Sequence, residues 1–74
     1  MKKYYEILKD LREDRDLKQE DIAEILKTSR SYYGQYERGV RPLPIAHLKI
    51  LAKFYGVSAD YILGLPKNLN HPER

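Results

Sequence analysis

The 74-residue chain contains no cysteine, which excludes disulfides and thiolate metal sites and is compatible with a reducing compartment. Its two histidines, His47 and His71, are too few for a histidine-rich metal cluster. No apolar run approaches the ~20 residues that a bilayer span needs. The basic start, "MKK", leads into tyrosines and charges instead of the apolar core of a signal peptide. Together these absences predict a soluble, cytoplasmic protein with no membrane partner and no cofactor. The chain is also short: it holds one domain at most, near the lower limit of independent stability, so a partner subunit is expected to add to it.

What is present is charge, unevenly placed. The net charge is a modest +3. Between positions 6 and 24, eight acids (Glu6, Asp10, Glu13, Asp14, Asp16, Glu20, Asp21, Glu24) face four bases (Lys9, Arg12, Arg15, Lys18). Between positions 27 and 53, six bases (Lys27, Arg30, Arg38, Arg41, Lys49, Lys53) face Glu37 alone. A basic middle segment suits a polyanion, although a solvated helix face has the same composition.

Apolar spacing predicts five short helices. Tyr4, Ile7, Leu8 and Leu11 follow the i, i+3, i+4, i+7 pattern of a helix over about 3–14. A second stripe, Ile22, Ile25 and Leu26, predicts a helix starting near Lys18 or Gln19, with Glu20 and Asp21 at its positive end and no proper capping residue before them. Ser29 is an N-cap for a third helix that stops at Gly39. "RPLP" breaks the chain, and Leu48, Leu51, Ala52 and Tyr55 mark a fourth helix closed by Gly56. Ser58 caps a fifth, with Val57 and Ile62 at the positions of a hydrophobic staple, ending by Gly64 and Pro66. No β-type alternation and no internal repeat competes. The expected fold is all-α, a compact five-helix domain over 1–65 followed by a polar tail or linker over 66–74.

Two helices joined by a three- or four-residue turn, about 19–26 and 29–38, form a helix-turn-helix, whose second helix enters the DNA major groove. Here "LKQEDIAEILKTSRSYYGQYERG" resembles the Xre/Cro-type phage repressor family, and "LKILAKFYGVSADYILG" is similar to that family's closing helices. The resemblance implies a lambda-repressor-like fold and sequence-specific binding of double-stranded DNA by a transcriptional regulator, a repressor. It also implies a homodimer on a palindromic operator, with a dimer surface at the last helix and beyond: Tyr61, Ile62, Leu65 and the tail. Four positions depart from the family pattern. Lys27 and Asp16 stand where glycine is usual, and Lys18 stands where serine or threonine usually caps. A lysine in a left-handed turn costs about 1 kcal/mol. Tyr33 replaces the usual Val or Ile of the third helix's core position and is expected to pack there with its hydroxyl reaching the surface.

On a helical wheel Tyr33 and Tyr36 face inward, while Arg30, Ser31, Gly34, Gln35 and Arg38 spread over the other side. Arg30 is the first candidate for base readout, since a guanidinium holds guanine O6 and N7 together; Gln35 is the second, able to pair bidentately with adenine. Both, with Ser31, match base-contacting positions of the family. Gly34, near the centre of this face, lets the backbone approach the groove floor. Tyr32, at its edge, is placed to touch a phosphate or a thymine methyl, or simply to pack. The resemblance makes Gln19 a phosphate ligand; Lys18, Ser29, Arg38 and Arg41 complete the expected backbone contacts. It also implies an internal ion pair between Arg12 and Glu37. Tyr4, Tyr5, Tyr55 and Tyr61 recur at helical spacing among leucines and isoleucines and read as core or core-edge residues.

A second hypothesis keeps the fold and changes the partner: an antitoxin or accessory module that binds another protein. Catalysis finds no support. His47 lacks a sequence partner for a triad, no glycine-rich phosphate loop exists, and the carboxylates read as solvated faces.

Overall fold

The computed structural model describes residues 2–65. Five helices follow one another: α1 (Tyr4–Asp14), α2 (Gln19–Ile25), α3 (Arg30–Glu37), α4 (Ile45–Tyr55) and α5 (Ala59–Leu63). The polar tail expected over 66–74 lies outside the described residues. α2 packs on α3, α1 against both α3 and α5, and α4 against α5. One core results, built from Ile7, Leu8, Leu11, Ile22, Ala23, Leu26, Tyr33, Tyr36, Leu48, Leu51, Tyr55 and Ile62. It gathers the apolar stripe of every helix, because each stripe alone is too narrow to be shielded from water.

Local chemistry sets the helix ends. The Ser29 hydroxyl accepts from the Tyr32 amide at 3.0 Å, and the Ser58 hydroxyl accepts from the Tyr61 amide at 3.0 Å. α2, which has no serine or threonine cap, is closed from the other side: the Lys18 amide donates to Asp21 Oδ2 at 2.8 Å. α4 and α5 end on Gly56 (φ 69°) and Gly64 (φ 75°), left-handed caps that free the chain to turn. Lys27 (φ 58°) and Asp16 (φ 55°) adopt the same left-handed conformation without being glycine.

Two aromatic expectations are corrected. The Tyr33 side chain is fully buried, and its hydroxyl does not reach the surface; it donates to Glu37 Oε2 at 2.6 Å. Tyr61 is half exposed instead of packed in the core, because Ala59 and Ile62, three residues apart, take the inward side of this short helix. Ile62, fully buried, is accordingly removed from the expected dimer surface, while Tyr61 and Leu65 remain exposed.

Candidate nucleic-acid interface

The outer side of α3 begins at its cap. Ser29, Arg30 and Ser31 are exposed on the first turn, and Arg38 is exposed just past the last. Tyr33 and Tyr36, both fully buried, fix the helix's rotation and so decide which residues face out. Gln19, at the start of α2, sits beside this face. With Ser29, Arg30, Ser31, Gly34 and Arg38 it lines an open concavity of about 540 Å³. A second hollow of about 350 Å³ adjoins it, lined by Arg12, Leu17, Lys18, Gln19, Glu20 and Arg30. The surface is cationic, with Lys18, Arg30 and Arg38 along it, and at its centre it is small.

Gly34 differs from the wheel-based expectation of an open centre. It is buried, because the Arg38 and Gln19 side chains fold across it. A Cβ at position 34 would stand 3.4 Å from Arg38 Nη1 and 3.6 Å from Gln19 Oε1, an ordinary contact distance. The protein's own packing therefore does not demand glycine. Any demand comes from outside.

Beneath the face lies a polar hub. Glu37, its side chain only 3% exposed, accepts from Arg12 Nε (2.7 Å) and Nη2 (2.9 Å), from Gln19 Nε2 (3.1 Å) and from the Tyr33 hydroxyl (2.6 Å). Burial alone would raise the Glu37 carboxyl; the hydrogen bonds from Arg12, Tyr33 and Gln19, with the guanidinium charge, outweigh it and hold it below the usual carboxylate range. The Tyr33 hydroxyl is pushed well above its ordinary value by burial and then by the bond to Glu37. Arg12 also donates to the Leu17 carbonyl at 2.8 Å. One carboxylate thus joins α1, α2 and α3, and it orients the Gln19 amide that lines the concavity.

At the other edge, Arg41 is half-buried and folded back on α3. Its Nε donates to Gln35 Oε1 at 2.9 Å, its guanidinium stacks 4.4 Å from the Tyr32 ring centroid, and its carbonyl accepts from the Tyr4 hydroxyl at 2.6 Å. Tyr32, half-buried, also packs edge-on against Tyr36. The structure thus brings Gln19, Ser29, Arg30, Ser31, Gly34 and Arg38 together around one hollow, with Lys18 in the next, and sets Gln35, Tyr32 and Arg41 as a separate cluster alongside. Sequence reasoning missed the Gln19 and Tyr33 bonds to Glu37 and the whole Gln35–Arg41–Tyr32 cluster. The four-residue spacing of Tyr33 and Glu37 was a readable signal for one of them. His47, on α4, is bonded through Nδ1 to the Tyr36 hydroxyl at 2.8 Å.

Two consecutive short helices, the second carrying an exposed cationic side and crossed beneath by the first, define a helix-turn-helix. The helix-turn-helix family profile matches residues 8–62, and the chain belongs to that family. It is 44% identical over 62 residues to the uncharacterized HTH-type transcriptional regulator YobD of Bacillus subtilis strain 168, covering 84% of this chain and 55% of that protein. It is 40% identical over 50 residues to the cryptic phage CTXphi transcriptional repressor RstR of Vibrio cholerae, covering 68% and 45%. The crystal structure of a transcriptional regulator from Listeria innocua superposes with a TM-score of 0.84 at 26% identity, over 95% of this chain and 65% of that one. The chain spans about half the length of the two named relatives. No helix among the described residues is long and apolar enough to cross a membrane.

Proposed function

We propose that this chain binds duplex DNA with α3 in the major groove and acts as a transcriptional repressor, as a homodimer on a palindromic operator. The observation that carries the reading is the concavity shared by α2 and α3, where Arg30, Ser31 and Arg38 face out around a buried glycine. An α-helix with its side chains is about 10–12 Å across, which fits the ~12 Å width of the major groove. Arg30, Ser31 and Gln35 read base edges. Gln19, Lys18, Ser29 and Arg38 hold phosphates and set the register. Repression draws on the relative named as a phage repressor. Dimerisation draws on the exposed Tyr61, Leu63 and Leu65 at the end of the described chain. The same apolar side chains, with Ile50 and Phe54 on α4, support a second reading in which another protein docks, as for an antitoxin.

Selection of bound sites from a random duplex pool, followed by titration, tests the proposal. The wild-type chain recovers a symmetric site. Arg30→Ala costs about 1–3 kcal/mol and relaxes preference at one base pair, while Arg38→Ala weakens all sequences alike and flattens the salt dependence. Absence of duplex binding even in dilute buffer would sink the reading, and recovery of a stable protein partner in its place would favour the second.

A further inference from the structure

We infer that Arg41 is a positioning residue that sets which base Gln35 reads, turning its amide into a hydrogen-bond donor toward the groove. The inference rests on the DNA reading above and deepens it.

A glutamine amide carries an acceptor, Oε1, and a donor, Nε2; reading adenine bidentately uses both. In this chain Oε1 is engaged by Arg41 Nε at 2.9 Å. An arginine only donates, so the atom it meets must be the amide oxygen, which fixes the flip of the side chain. With one lone pair of Oε1 engaged by a guanidinium, Nε2 is the donor of Gln35 left for a base. The fixed positive charge beside the oxygen repels a further donor such as the adenine N6 amino group and attracts acceptors. The pair therefore favours an acceptor edge, guanine N7 and O6, over adenine.

Arg41 is itself held on three sides. Its ring partner Tyr32 lies 4.4 Å from the guanidinium carbon, and its backbone carbonyl is tied to the Tyr4 hydroxyl on α1 at 2.6 Å. Tyr32 is in turn fixed against the buried Tyr36, ring centroids 5.6 Å apart. A side chain pinned by stacking, a charge-assisted bond and an anchored backbone keeps its geometry as DNA arrives, where a loose surface arginine would swing to the nearest phosphate.

The experiment compares site selection by wild type, Arg41→Ala, Arg41→Lys and Gln35→Ala, with the Gln35 side-chain amide followed by NMR in the DNA-free protein. Arg41→Ala is expected to lower guanine-over-adenine discrimination about tenfold at the base pair that Gln35→Ala also relaxes. Arg41→Lys keeps overall affinity and salt dependence but loses that preference, since lysine lacks the planar Nε–H that meets Oε1 and the flat guanidinium that stacks on Tyr32, so its charge is no longer fixed beside the amide. In the free protein the Gln35 Nε2 resonances shift and their mobility rises in Arg41→Ala. In a Gln35→Ala background the Arg41 substitution leaves base preference unchanged. A uniform loss across all sequences with preference intact, or full rescue by lysine, overturns the inference and leaves Arg41 a phosphate contact. Unchanged Gln35 resonances overturn it without touching the DNA reading. A wild-type chain that selects no DNA removes both.

Discussion

Glu37 is a buried carboxylate that three other side chains converge on, and its cost of desolvation is offset only while they stay. Removing the guanidinium leaves a charge with 3% exposure short of its main partner. Arg12→Ala is therefore expected to destabilise by about 3–5 kcal/mol. A domain of this length is worth ~4–11 kcal/mol in all, so urea titration should find the variant mostly unfolded or close to it, with any residual DNA preference unaltered. The same group gives a pH dependence. Its folded value is depressed, so the stability it contributes is complete above the unfolded value of about 4.3. That contribution is lost as pH falls through the lower folded value. Melting temperatures of wild type and Glu37→Gln, measured from pH 6 downward, should converge as the pH falls below about 4. Gly34 makes the opposite case. Alanine fits at ordinary contact distance and is the better helix former by about 1 kcal/mol. Gly34→Ala should thus raise the melting temperature by several degrees while weakening DNA binding, a split that thermal melts and anisotropy titration together would reveal. Lower stability in this variant would mean that the Arg38 and Gln19 side chains cannot give way.

The helices were legible because their signals are local. Ser29 and Ser58 cap as their sequence positions require, Gly56 and Gly64 stop their helices in the left-handed region, and the periodic Leu and Ile residues form the core. The turn between α2 and α3 was legible as well: Lys27, standing at a position where glycine is usual in the resembling family, has φ 58°. Lys27→Gly should accordingly stabilise the chain by about 1 kcal/mol, read as a rise in the urea midpoint with unchanged slope. The site was only partly legible. A wheel gives the direction in which Gly34 points but not that Arg38 and Gln19 would cover it. The bond between Gln35 and Arg41 crosses the break after α3, where "RPLP" removes the periodicity that allows contacts to be inferred from spacing. Tyr61 was misread for a related reason: in a five-residue helix the spacing does not say which apolar residues face inward, and Ala59 and Ile62 take that side.

At the scale of the molecule, twelve buried residues among those described share one core to which all five helices contribute. Elements distant in sequence meet there. Tyr4, in the first turn of α1, reaches the carbonyl of Arg41, 37 positions later. Helix ends breathe more readily than helix centres, and the opening of a first turn is among the cheapest motions that a folded chain makes. Here such an opening would also release the connection between α3 and α4. In Tyr4→Phe the amides of Gly39 and Val40, which donate to the Tyr36 and Gln35 carbonyls, should exchange with deuterium faster while those of α2 stay protected. A bulky fusion joined close before Tyr4 would act in the same direction, loosening a loop on the far side of the sequence from where it is attached.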